Sequence, residues 1–148
     1  MRIETEINQS KFENEHVKVM LNIMYSSNWI SEKLHTTFKK EGITSQQYNI
    51  LRILRGADKP LSTLELRSRM LDKMSDTSRI VDRLVKKDFV KKTDSVLDKR
   101  LVDISIKQKG LSLLKKLDHN ENLLGDFCKN LSVAEAKTVS LLLDKMRG

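Results

Sequence analysis

Residues 62–106 run STLELRSRMLDKMSDTSRIVDRLVKKDFVKKTDSVLDKRLVDISI, and the fold turns on how this stretch is read. Ser62-Thr-Leu-Glu65 is a capping box. Its hydroxyl and its N3 carboxylate satisfy amides that a helix start leaves unpaired, so a helix is expected over about 63–70. The turn Leu71-Asp-Lys-Met74 comes next, and Ser75 is the expected N-cap of a second helix over about 76–87. At about 100° per residue, Thr77, Ile80, Val81, Leu84 and Val85 share one side of that helix, and Ser75, Arg79, Asp82, Arg83 and Lys86 share the other. The period then shortens. Phe89, Val90, Leu101, Val102, Ile104 and Ile106 predict two strands, about 89–94 and 100–106, around the turn-like Asp94-Ser-Val-Leu-Asp98.

Working outward, Thr44-Ser-Gln-Gln47 opens a helix over about 45–56, with Gly56 and Pro60 punctuating the approach to Ser62. A long helix over about 12–40 carries Met20, Met24, Ser27, Ile30, Leu34 and Phe38 on one stripe and stops near Gly42. Beyond the hairpin, one helix is expected from about 108 to 129. Ser132-Val-Ala-Glu135 opens a last one from 133 to 146. The expected fold is mainly α with a small β-hairpin wing: a winged helix-turn-helix between long terminal helices. The chain is expected to be one domain over 1–148, with a winged helix-turn-helix lobe over 44–109 and long flanking helices over 12–41 and 110–147.

The chain has 148 residues and a formal net charge of +8. That charge is concentrated. Residues 67–109 hold 13 Lys/Arg and 7 Asp/Glu, while 1–66 hold 9 and 8, and 110–148 hold 6 and 5. A local basic patch suits a polyanionic partner better than a merely solubilising surface. The single cysteine, Cys128, allows no internal disulfide, and no thiolate zinc site can be assembled from it. His16, His35 and His119 are scattered, so no metal and no cofactor is expected. The polar N-terminus lacks a signal-peptide apolar core, and no apolar run spans a bilayer; a cytoplasmic location is expected. There is no phosphate-binding glycine loop, GxSxG or HExxH, so an enzyme is not expected.

The second helix of a helix-turn-helix enters the major groove with its N-terminal residues near base edges. Arg79, Arg83 and Lys86 on the outward side suit guanine or phosphate. Ser75, Thr77 and Ser78 at the amide-rich helix start suit a phosphate. Asp76 and Asp82 oppose DNA attraction unless they orient neighbouring cations. In the hairpin, Lys91, Lys92, Lys99 and Arg100 flank the tip. Arg100 is the best candidate for insertion into a minor groove, with Asp98 holding it or shaping the turn.

In order and spacing these residues resemble the MarR family of bacterial winged helix-turn-helix transcription regulators. The segments that carry the resemblance are Thr44-Ser-Gln-Gln-Tyr-Asn-Ile-Leu-Arg-Ile-Leu54, Pro60-Leu-Ser-Thr-Leu-Glu-Leu66, Ser78-Arg-Ile-Val-Asp-Arg-Leu-Val-Lys-Lys87 and Asp98-Lys-Arg100. Leu101–Ile106 and Gly110 complete it, and it extends over about 12–146. It implies a homodimer on a pseudo-palindromic site, commonly weakened by a small molecule or an oxidant. Three positions depart from the pattern. Asp88 stands where the family usually has Gly, Lys107 where it often has Thr, and Ile104 and Ile106 replace the commoner Val and Leu. Aspartate tolerates a left-handed cap, so the first departure is compatible with the fold.

The terminal helices need a partner for their apolar faces. Leu114, Leu117, Leu124, Cys128 and Leu131 fall near a heptad stripe interrupted at Glu121, and Val139, Leu141, Leu142, Leu143 and Met146 crowd the last helix. With the first helix they are expected to form the dimer interface. Tyr25, Trp29, His35 and Tyr48 are candidates for a small-molecule inducer pocket, although ordinary core or half-buried packing is the better account of them. Cys128 on an apolar stripe reads as a small hydrophobe rather than a redox switch. The rival to a ligand-responsive repressor on double-stranded DNA is a winged-helix module that binds protein or RNA.

Overall fold

A computed structural model describes residues 1–94, 102–119 and 124–148. The elements run α1 (Ile3–Glu6), α2 (Glu15–Lys40), α3 (Ser45–Arg55), β1 (Leu61–Ser62), α4 (Thr63–Arg69), α5 (Thr77–Lys86), β2 (Val90–Asp94), β3 (Val102–Ile106), α6 (Gln108–His119), a 3-10 turn (Asp126–Cys128) and α7 (Val133–Arg147). Two compact units are defined, Met1–Tyr48 and Asn49–Gly148, and the sequence of α3 runs through their boundary. Among the described residues no helix is long and apolar enough to cross a membrane.

In the first unit α2 starts at Glu15, a few residues after the expected start near 12. The Asn14 side chain caps it by accepting from the Val17 amide at 3.0 Å. The short α1 is not expected from the sequence. It is held by tertiary contacts: Ile3 is buried, the Tyr25 hydroxyl donates to Glu6 at 2.6 Å, and Lys18 pairs with Glu4 at 2.7 Å. At the end of α2 the Ile43 amide donates to the Phe38 carbonyl and the Gly42 amide to that of Lys39, both at 3.1 Å, with Gly42 at φ 67°. This is a Schellman stop, which needs a left-handed residue. The Thr44–Gln47 capping box is present, each bond 3.2 Å long.

The second unit is built on a three-stranded antiparallel sheet in the order β1-β3-β2. The hairpin expected from alternation is there, with Val90 opposite Ile106 and Lys92 opposite Ile104. The third strand is only Leu61 and Ser62, paired with Ile104 and Asp103, too short to show a period in sequence. Leu61, Leu66, Met70, Val81, Leu84, Val90, Ile104, Leu114 and Leu117 are almost completely buried and form the core. The second capping box holds, with Glu65 accepting from the Ser62 amide at 2.8 Å and donating its own amide to the Ser62 hydroxyl at 3.2 Å.

The end of α5 repeats the stop seen at α2. The Phe89 amide donates to the Leu84 carbonyl at 3.0 Å and the Asp88 amide to Val85 at 2.9 Å, with Asp88 at φ 64°. Aspartate therefore does here what glycine does at position 42. The Lys107 ammonium pairs with the Asp88 carboxylate, so two departures from the family pattern meet in space. That hydrogen bond holds the Asp88 carboxyl below its ordinary range.

The fifth helix is shorter than expected. As α6 it runs Gln108–His119, and residues 124–131 form turns around the Asp126–Cys128 3-10 segment rather than continuing to 129. Gly125 lies in this interval, and glycine costs a helix about 1 kcal/mol relative to alanine. The heptad stripe is consequently broken. Leu114 and Leu117 are buried, whereas Leu124, Cys128 and Leu131 lie on exposed turns, so Cys128 is not a buried hydrophobe. The last helix, α7, opens with the Ser132–Glu135 box and buries no residue.

Candidate nucleic-acid interface

Helix α5 presents its two faces as its period requires. Val81 and Leu84 are inaccessible, Ile80 is half-buried, and Arg79, Asp82, Arg83 and Lys86 are exposed. Val85 is the exception on the apolar side, at 37% exposure. The helix starts one residue later than Ser75 would place it. Asp76 is the N-cap, and its carboxylate accepts from the Arg79 amide at 3.1 Å. Arg79 Nε returns to the same carboxylate at 3.1 Å. Asp76 thus both caps the helix and orients the arginine. Ser75 turns the other way, donating to Asp72, which also accepts from the Met74 amide and so shapes the turn.

Thr77 needs correction as a phosphate ligand. It is 3% exposed, and its hydroxyl donates to Met70 Sδ at 3.3 Å. The apolar side of α5 claims it, because it lies on the same stripe as Val81 and Leu84. Ser78 is exposed and Ser75 half-buried, and both remain near the helix start.

On the wing, β2 buries Val90 and exposes Lys91, Lys92, Thr93 and Asp94. Lys92 Nζ lies 2.5 Å from Asp82, so this cation ties the wing to α5. The hydrogen bond from Lys92 lowers the Asp82 carboxyl below its ordinary value. Both Asp76 and Asp82 are therefore engaged with cations. The proposed tip residues Asp98, Lys99 and Arg100 lie outside the described residues.

Three large apolar side chains on this surface escaped the sequence reading. Leu64, Leu71 and Met74 are 77%, 88% and 93% exposed. Leu64 and Met74 line a concavity of about 460 Å³ with Arg67 and residues 75–78. The Leu71 amide donates to Asn49 Oδ1 at 3.0 Å, which anchors the turn. The signal was available: two large hydrophobes in a four-residue turn serve no helical or strand period.

The candidate inducer residues have separate surroundings. Tyr25 is half-buried and bonded to Glu6, which pushes its phenol above the ordinary value. Trp29 is half-buried and His35 exposed. Tyr48 is buried, its ring 4.4 Å from that of Phe38. Among the described residues no cluster of His, Cys, Asp and Glu is arranged to hold a metal.

Comparison with known proteins identifies this architecture. Residues 43–102 match the MarR family model. No curated protein matches the sequence. A cysteine-to-serine mutant of MarR from E. coli, solved with operator DNA, superposes with a TM-score of 0.78 at 24% identity, covering 93% of this chain and 99% of that one. Wild-type apo MarR from E. coli gives 0.66 at 25% identity, covering 84% and 93%. BpsR of Bordetella bronchiseptica, described by a mechanism in which 6-hydroxynicotinic acid regulates its DNA binding, gives 0.74 at 17% identity, covering 88% and 99%. Residues 43–102 thus match the MarR family model, and the chain has the winged helix fold of the MarR structures.

Proposed function

We propose that the protein is a repressor that binds a pseudo-palindromic operator as a homodimer and releases it when a small molecule binds. The observation that carries this reading is the exposed Arg79, Arg83 and Lys86 face of α5, backed by a buried apolar face. The likeness to an operator-bound MarR supports it. Arginine at the start of such a helix can bond guanine bidentately, and the neighbouring lysines add phosphate contacts. The role is binding rather than catalysis, and it places the protein in the cytoplasm with duplex DNA.

The dimer is supported by the apolar surface that the described chain leaves uncovered. Leu141, Leu142 and Met146 on α7 are 57–69% exposed, and Val19, Met20 and Met24 on α2 are 50–55% exposed. Apolar surface on this scale is ordinarily covered by a partner. A dimer also spaces two recognition helices about 34 Å apart, matching successive major grooves. An inducer acts through this spacing, to the extent that it prefers the conformation that does not fit DNA. BpsR and its 6-hydroxynicotinic acid supply a precedent for small-molecule control in this fold.

Fluorescence anisotropy with duplex DNA from upstream of the protein's own gene, against a scrambled duplex at two salt concentrations, tests the proposal. Selective, salt-sensitive binding of two protomers per site is the expected result. Equal weak binding to both duplexes refutes operator binding at that site and favours a module that binds protein or RNA.

A further inference from the structure

The concavity between α4 and the start of α5 is the feature of this surface that phosphate and guanine contacts leave unexplained. Leu64 stands on the first turn of α4, and Met74 sits in the turn two residues before the Asp76 cap. Both are among the most exposed large hydrophobes of the described chain, and both border the same recess. A surface that only attracts phosphate has no use for them, because exposed Leu and Met gain nothing from a polyanion.

The setting constrains the kind of partner that can cover them. Arg67 shares the recess, Arg69 and Lys73 lie nearby in sequence, and Arg79 projects from the first turn of α5. The lining holds Arg67 and an Asp76 carboxylate that Arg79 neutralises, beside the two exposed apolar side chains, and this suits an anionic partner with a small apolar projection. Duplex DNA offers one such group in the major groove, the 5-methyl of thymine. Residues at the N-terminal end of a recognition helix come closest to base edges, and this recess lies at that end of α5.

We propose that Leu64 and Met74 form a receptor for a thymine 5-methyl group, making them specificity-determining residues of the operator contact. The inference rests on the DNA-binding reading and extends it to residues outside the charged face. It requires each half-site to contain a thymine whose methyl group, and not only its hydrogen-bonding edge, is read. Removing one buried methyl should weaken binding about fourfold, the equivalent of one CH₂ returned to water.

The test uses the full chain and a duplex selected from a random pool. Each thymine of the selected duplex is replaced in turn by deoxyuridine, which differs only in lacking the methyl, and Kd is measured by anisotropy. One thymine per half-site should show the fourfold loss. Leu64→Ala and Met74→Ala should each reduce that penalty toward zero, with unchanged thermal melting because both side chains are largely in solvent. Uniformly neutral uracil substitutions overturn the inference while leaving DNA binding intact. A penalty that persists in full in both variants likewise overturns it, since the methyl is then read elsewhere. If no duplex is enriched, the DNA-binding reading fails and this inference fails with it.

Discussion

At Gly110 the backbone of α6 approaches the wing closely, and alanine at this position is a quantitative test of that packing. A Cβ there would lie 2.6 Å from the Phe89 carbonyl oxygen and 2.9 Å from Ile106 Cγ1. The carbonyl cannot swing aside freely, because it accepts the Lys107 amide at 2.9 Å. Relieving the clash means moving α6 away from the start of β2, an overpacking that costs about 1–3 kcal/mol. Alanine's better helix propensity returns at most about 1 kcal/mol, and less in a first turn. Gly110→Ala should therefore lower Tm, by up to about 10 °C for a chain of this size. Gly56→Ala is the matched control, since its Cβ would meet only ordinary contacts, 3.6 Å from the Arg52 carbonyl and 3.9 Å from that of Ile53. Circular dichroism melts of both variants decide the matter. If Gly110→Ala melts at or above the temperature of Gly56→Ala, the close approach does not exist in solution.

Other predictions address the charged face, the caps and the uncovered helices. Arg79→Ala should weaken binding to a selected duplex by about 5-fold to 150-fold and relax base preference, since a bidentate base contact is worth about 1–3 kcal/mol; unchanged selectivity in a binding competition would assign Arg79 to phosphate instead. At position 88 the left-handed backbone should rank Tm as Gly at or above Asp, then Ala, then Val, and a stable Asp88→Val variant would contradict the Schellman stop. The Asp82 carboxyl should titrate below 3.8 by NMR, because Lys92 favours its charged form; the stability this adds is present above the unfolded-state pKa and lost as pH falls through the lowered value, so the difference between wild type and Asp82→Asn should be flat from about pH 5 to 8. Leu142→Glu on α7 should shift the protein from dimer to monomer mass in analytical ultracentrifugation, whereas an unchanged mass would remove α7 from the interface.

The sequence was most informative where a structural rule is local. The Thr44, Ser62 and Ser132 boxes each need four consecutive residues, and all three form as written. The division of α5 into an apolar stripe and an Arg79, Arg83, Lys86 face derives from helical period alone. The tolerance of a left-handed backbone at Asp88 derives from its side-chain type. In each case the determining atoms lie within one or two turns of each other along the chain.

The tertiary structure decided matters that depend on residues distant in sequence or on competition between neighbouring caps. Ser75 and Asp76 are both good N-caps, and the choice went to Asp76 because Ser75 is engaged by Asp72. Thr77 could have faced a phosphate or the core, and its burial beside Met70 settled that. The strand at Leu61 exists only because Ile104 lies opposite it. Likewise Asp88 and Lys107, separate oddities along the chain, become an ion pair only when the wing folds back on α5. Local pattern is set by dihedral geometry and periodicity, which a short window contains. Burial and pairing are set by which distant surfaces meet, and only the folded chain brings those together.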